Sequence, residues 1–420
     1  MNTTIGIVSI LAFLPLATLA PAQDWPQFFG PERNGVYSGP ALSDDWGTDG
    51  PPVLWSIPVG LGLSGPVVVG DRVILHHRVG NEEVVDALDR ETGEQIWRYA
   101  YPTTYRDDFG FDEGPRAIPV VAGGIVYTFG AQGQLHAVNL ESGARIWSVD
   151  TMREFSVPKN FFGAGGSPLV EDGRVIANIG GMRANGDPAG IVAFDAETGD
   201  VLWTGVNDES SYSSPVGATF DGERYAVLFT RTGLVGIRPE DGQLKFQLRW
   251  RSRSASSVNA ASPVIVGNRI FISAEYGPGA AVLEWDGARL TPLWTSNDVL
   301  STHYATSVYS EGTLYGYHGR QEFGPSLRAV DFQTGEVYWD IDQFRAGSIQ
   351  LADDTLVILR EGGELVLADA SPEEFRVRAR ATILPPTVRA YPALSDGVLF
   401  VRNSDRRDGA LTAFDLRPGN

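Results

Sequence analysis

One phrase recurs along this chain and limits what it can fold into. Ala87-Leu88-Asp89-Arg90-Glu91-Thr92-Gly93 leads on to Trp97. It returns as Ala137-Val138-Asn139-Leu140-Glu141-Ser142-Gly143 to Trp147, as Ala193-Phe194-Asp195-Ala196-Glu197-Thr198-Gly199 to Trp203, and as Ala329-Val330-Asp331-Phe332-Gln333-Thr334-Gly335 to Trp339. Weaker copies end at Phe246, Trp294 and Phe375. Six of the ten Trp occupy this slot: Trp55, Trp97, Trp147, Trp203, Trp294 and Trp339. Seven steps cover the 320 residues from Trp55 to Phe375, a period of about 46. That period falls in the range of propeller blades.

Each period has the same internal order. A Ser-Pro or Gly-Pro opens a short apolar strand, as in Ser167-Pro168-Leu169-Val170. A Gly or Asp-Gly turn follows, then a second apolar strand such as Arg269-Ile270-Phe271-Ile272. The Ala-x-Asp strand is third, and the Thr-Gly turn leads to a fourth strand carrying the Trp. Asp and Thr oxygens can bond the local backbone, and Gly supplies the positive φ of a tight turn. Four short strands per unit, repeated, predict propeller blades. No useful stretch of 3.6 periodicity competes.

Openings of first strands fall at Gly65-Pro66, Ala117-Ile118-Pro119, Ser167-Pro168, Ser214-Pro215, Ser262-Pro263, Thr306-Ser307, Gly347-Ser348 and Tyr391-Pro392. The eighth unit stops after its third strand, Ala410 to Leu416, and the missing fourth is available at Val53 to Val59. The expectation is an all-β, eight-bladed propeller of four-stranded antiparallel blades. An N-terminal strand in the last blade closes the ring and removes its open edge. Seven blades is the alternative, because the Phe375 copy lacks both Gly and Trp.

Ahead of the repeats, residues 5–22 are almost wholly apolar, and no charged side chain precedes Asp24. With Ala20-Pro21-Ala22 as a small-residue cleavage site, this predicts a signal peptide over 1–22 and export to the periplasm or beyond. An uncleaved anchor is the alternative, weakened by Pro15 and a short span. Residues 23–52 then form an N-terminal extension, and 53–420 the propeller. No integral membrane segment is expected after cleavage, and the exported protein is expected to be a monomer.

Composition removes several function classes. With 33 basic against 52 acidic residues the net charge is −19, which argues against nucleic acid as a partner. The absence of cysteine excludes disulfides, thiolate nucleophiles and Cys-based zinc sites. Five His, none at H-x-x-x-H spacing, exclude a zincin. No P-loop, G-x-S-x-G or dinucleotide fingerprint is present.

The motif Ala-x-Asp-x-x-Thr-Gly-x-x-x-Trp resembles the repeat of pyrroloquinoline quinone (PQQ) proteins, and the resemblance spans essentially all of the chain after the leader. The stretch Asp24-Trp25-Pro26-Gln27-Phe28-Phe29-Gly30-Pro31 is similar to the opening of secreted bacterial PQQ-like repeat proteins. The resemblance implies two branches: quinoprotein dehydrogenases, which hold PQQ and Ca²⁺ in the funnel, and non-enzymatic propellers such as the outer-membrane barrel-assembly scaffold. The dehydrogenases of this type carry adjacent cysteines against PQQ, which this chain lacks. None of their Ca²⁺ or catalytic positions can be matched here. No cofactor, no metal and no catalytic residue is therefore expected. The expected role is binding or scaffolding for a protein or glycan partner, with a PQQ-dependent oxidoreductase as the alternative.

In a propeller the loops leading into first strands converge on the channel mouth. Here they carry Arg116, Lys159, Asn160, Tyr212, Asn259, His303, Tyr304, Arg345 and Arg389 as candidate ligand-binding residues. Guanidinium forks and flat phenol faces suit an anionic, sugar-like or peptide ligand. The competing reading is that these side chains plug the hole and pair with nearby Asp. The acidic loop from Asp107 to Gly114 could hold Ca²⁺ through carboxylates, but its spacing reads better as a solvated surface loop. His76 and His77, adjacent on one strand, point to opposite faces. Arg251 to Ser257 reads as a flexible connector.

Overall fold

The structure is a computed structural model that describes residues 23–254, 258–405 and 408–419. The expected leader lies outside these residues, as does part of the Ser-rich connector. Eight four-stranded antiparallel blades follow one another around a ring, the seventh extended by a short fifth strand in parallel pairing. Blades 1 to 7 span 67–102, 120–150, 169–205, 216–249, 264–296, 308–341 and 347–382. Blade 8 contains Ala393–Ser395, Val398–Arg402 and Ala410–Asp415, and its outer fourth strand is Val53–Pro58, with Trp55 opposite Ala413. The ring closes in the predicted way, with eight blades. Among the described residues no helix is long and apolar enough to cross a membrane.

First strands form the inner ring, those of neighbouring blades lying side by side. The Ser-Pro openings join them. Each hydroxyl accepts the backbone N–H of the preceding blade: Ile118 to Ser167 (2.8 Å), Ser167 to Ser214, Ser214 to Ser262 and Ser262 to Thr306 (3.0 Å each). Tyr391 of blade 8 accepts the N–H of Thr306. Proline follows three of these four hydroxyl residues, so the strand starts with no donor left over at that position.

At the outer wall the Trp slot works between blades. The indole N–H of Trp97 donates to Leu140 O of the next blade, that of Trp147 to Ala196 O, and that of Trp55 to Arg90 O. Trp203, Trp294 and Trp339 repeat the bond. The ring lies on the turn Gly of that next blade. Gly143 and Gly199 have φ of 68° and 77°, and a Cβ there would come within 2.6 Å and 2.7 Å of the indoles of Trp97 and Trp147. The repeat therefore couples each turn to the previous blade's Trp.

Blade 7 differs. Its fourth strand carries the same bulge as the other blades, but the turn before it is two residues longer than in blade 1, so Ala379 lies opposite Leu367 where blade 1 sets Trp97 opposite Ala87. Phe375, the residue expected in that slot, instead packs on Trp339 at 5.4 Å. Trp46 of the N-terminal extension is buried in the cluster that holds Ala379 and Ala381. Its indole N–H donates to Ser43 O within the extension at 2.8 Å.

Residues 24–37 run through the ring axis. Trp25 bridges Val68 of blade 1, and Pro26 O accepts Val121 N of blade 2. The buried Arg33 guanidinium donates to Pro215 O (2.8 Å) and to Pro168 O. Val36–Tyr37 then pairs in parallel with the first strand of blade 7, Gly347–Ala352, and Tyr37 Oη accepts Gly397 N of blade 8. Phe28 and Phe29 meet Tyr391 edge-on at 5.0 and 5.4 Å. Direct contacts thus tie this segment to six blades.

Candidate functional site

Two faces alternate along each blade. First-to-second and third-to-fourth connections form one face of short turns. Second-to-third connections and the loops between blades form the other. The candidate residues lie on this loop face, in two groups. The groups share no hydrogen bond, ion pair or ring contact among the described residues.

The first group spans the loops 103–119, 151–168 and 206–215. Asp107 organises it. Its carboxylate accepts the N–H of Phe109 (3.1 Å), Phe111 (2.8 Å) and Asp112 (3.0 Å), and Arg116 Nη2 at 3.4 Å. Asp112 accepts Gly114 N at 2.7 Å and Gly62 N at 3.3 Å. Both carboxylates are buried and spent on backbone donors, so this part of the acidic loop is a self-capped turn. Its consequence is the outward display of Phe109 and Phe111, 55% and 61% exposed. Phe109 lies 5.9 Å from Phe161 and 5.3 Å from Phe162, and Phe111 lies 6.1 Å from Phe162. Phe162 reaches Tyr212 at 5.7 Å, and its N–H donates to Tyr212 Oη at 2.8 Å. The Arg116 guanidinium sits 5.6 Å over the Phe162 ring. Burial pushes the Tyr212 phenol up to about 12.

Lys159 pairs with Asp108 at 2.5 Å on the surface, and Asn160 donates to Ser210 Oγ. Asn259 is buried. Its side-chain amide donates to Thr230 O and Trp250 O at 2.8 and 2.9 Å, and its backbone carbonyl accepts Tyr212 N at 3.3 Å. It braces the loops that carry Tyr212.

The second group spans blades 6 to 8 around Glu361. That carboxylate accepts Tyr304 Oη, Gln321 Nε2 (2.7 Å) and Arg389 Nε (2.7 Å). His303 contacts Tyr276 Oη at 3.3 Å and the Glu322 carboxylate at 3.7 Å. Burial holds its imidazole below the usual value, against the pull of Glu322. Arg345 stands apart, exposed, with φ of 69°.

Carboxylates dominate the acidic loop in the sequence, whereas in the fold its most exposed apolar groups are two rings. The available signal was two Phe flanking Gly110, facing Phe161-Phe162 one repeat later.

Comparison with known proteins places this architecture. A family model described as outer membrane protein assembly factor BamB matches residues 81–340 and again 323–420. The outer membrane protein assembly factor BamB of Yersinia pestis is 24% identical over 314 residues, covering 70% of this chain and 75% of that protein. The quinohemoprotein alcohol dehydrogenase ADH-IIG of Pseudomonas putida is 33% identical over 156 residues, 36% of this chain and 21% of that enzyme. Among solved structures, BamB from Moraxella catarrhalis superposes with a TM-score of 0.62 at 14% identity, over 88% of this chain and 98% of that one. Quinohemoprotein alcohol dehydrogenase from Comamonas testosteroni gives 0.67 at 16%, over 96% and 83%. At these identities the structural matches establish the fold, which both branches share.

Proposed function

The chain belongs to the family described as outer membrane protein assembly factor BamB, and from that premise we propose that it is an exported propeller that docks a protein partner on its loop face. The observation that carries the reading is the aromatic ledge of Phe109, Phe111, Phe161 and Phe162. Aromatic side chains bury about 150–250 Å² each and dominate interface energetics. Here two of them are held out to solvent by a loop whose own polar groups are satisfied internally. An exposed apolar patch on a rigid mount is the signature of an interaction surface. The expected location is the periplasm, in keeping with the apolar leader and with relatives named for outer membrane assembly.

The oxidoreductase alternative would need PQQ and Ca²⁺ in the funnel. The residues at the axis do not fit that group. Phe28, Phe29 and Tyr391 pack together there, and Arg33 is engaged with backbone carbonyls. Among the described residues no three His, Asp or Glu converge as metal ligands.

The test is photo-crosslinking in the producing cell. A crosslinker at position 109 captures one defined polypeptide, whereas one at Thr219 on the turn face captures none. Equal capture from both positions overturns the reading. Incubation with PQQ and Ca²⁺ leaves the absorbance spectrum of the quinone unchanged; stoichiometric uptake with alcohol oxidation would install the alternative.

A further inference from the structure

Beside the aromatic ledge, between the loops 103–119 and 151–168, lies a cleft of about 220 Å³. It is off the axis, between blades 2 and 3, and is separate from the plugged channel. Its charged lining residues are both basic. The chain carries 52 acidic and 33 basic residues, yet this lining has Arg106 and Lys159 and no Asp or Glu. Its apolar lining comes from Phe129, Met152, Val157 and Ile179. Tyr105 also lines it. Tyr105 is 4% exposed, and its buried hydroxyl has no hydrogen-bond partner among the described residues. A ligand that accepts a hydrogen bond from this hydroxyl would satisfy it.

We propose that this cleft binds an apolar-tailed carboxylate, either a free organic acid or an acidic residue beside an apolar one in a docked polypeptide. The volume lies below the roughly 300–1,000 Å³ of drug-sized sites, so it takes a fragment the size of one or two side chains. The carboxylate meets Lys159, Arg106 and the Tyr105 hydroxyl, and the tail covers the apolar lining. Lys159 and Arg106 are at present paired with Asp108 (2.5 Å) and Glu113 (2.6 Å). Both are solvent-exposed surface pairs, which contribute little, so an incoming carboxylate can exchange with them. The free-acid form of the proposal is independent of the docking reading; the polypeptide form rests on it.

The experiment is titration of the full exported chain, followed by NMR or calorimetry, with 3-phenylpropionate and its neutral counterpart 3-phenylpropanol. In parallel, the blocked dipeptides acetyl-Phe-Glu-amide and acetyl-Phe-Gln-amide are compared. In each pair the acid binds about ten-fold tighter, as expected for one charge-assisted contact. Lys159→Ala and Tyr105→Phe each remove most of that preference while leaving the melting temperature within a few degrees. Binding of both acids assigns the site to carboxylates in general. Binding of the dipeptide alone assigns it to a polypeptide partner, and of phenylpropionate alone to a free acid. The proposal is overturned if neither pair shows a carboxylate preference, or if the preference survives both substitutions. Failure of the crosslinking test with success here would remove the docking reading and leave the free-acid site standing.

Discussion

The turn face and the loop face come from the same repeat and are built on opposite terms. On the turn face each hairpin satisfies itself. Asp89 Oδ1 accepts the N–H of Glu91 and Thr92 and the Thr92 hydroxyl, at 3.0, 2.8 and 2.9 Å. Asn139 and Asp331 repeat the pattern. Hydrogen bonds from Thr92 hold the Asp89 carboxyl below the usual range. The turn Gly is then covered by a Trp from the preceding blade, so little is left to offer a partner. On the loop face Asp107 satisfies its loop by the same kind of bonding, but the loop is longer and its Phe side chains meet only the rings of the next loop and stay largely exposed. Self-satisfaction of the backbone serves closure on one face and display on the other.

Deleting 53–58 removes the outer strand of blade 8 and the Trp55 contact to blade 1. The whole ring then loses cooperative unfolding, which calorimetry and limited proteolysis detect; an unchanged melting temperature would show that the ring does not depend on this strand. Trp147→Ala should cost about 3–5 kcal/mol in denaturant unfolding, as for other large buried aromatics. A loss under about 1 kcal/mol would mean that the slot does not fasten blades.

A titration separates a buried seam from both faces. His136 lies between blades 1 and 2, stacked on Tyr101 at 3.9 Å. Burial lowers its imidazole from 6.5 to about 3. Between those values the unfolded chain takes up a proton that the folded chain refuses. Stability therefore declines as pH falls from 6.5 toward 3. His136→Asn should flatten that decline in melting temperature; an unaltered slope would place its origin elsewhere.

Two smaller effects sharpen the contrast between the faces. Asp89→Ala on the turn face removes a cap and should cost about 1 kcal/mol with no change in partner capture. Phe111→Ser on the loop face should change stability by less than about 0.5 kcal/mol, as an exposed substitution does, and abolish capture. A Phe111→Ser protein as destabilised as Trp147→Ala would show that the ledge is core rather than surface.

Blade number, strand order and ring closure could be read from the chain because the Ala-x-Asp, Thr-Gly and Trp positions are local signals repeated many times. Each copy corrects the noise in the others. The seventh slot falls at Ala379 and not at Phe375 because the turn before it is two residues longer than in blade 1, and a change in turn length breaks the fixed spacing that marks the slot elsewhere. Trp46 and residues 24–37 carry no repeat signal. Their positions across blade 7 and along the axis follow from which cavities remain once eight blades have closed. The site divides in the same way. Arg116, Lys159, Asn160 and Tyr212 were recognisable as loop residues near one end of the ring. Only the folded chain decided that Asp107 would turn inward, that Phe109 and Phe111 would turn outward beside Phe161 and Phe162, and that His303, Tyr304 and Arg389 would gather around Glu361 instead. Local periodicity is written residue by residue, whereas contacts between loops of different blades depend on the rigid ring that brings them together.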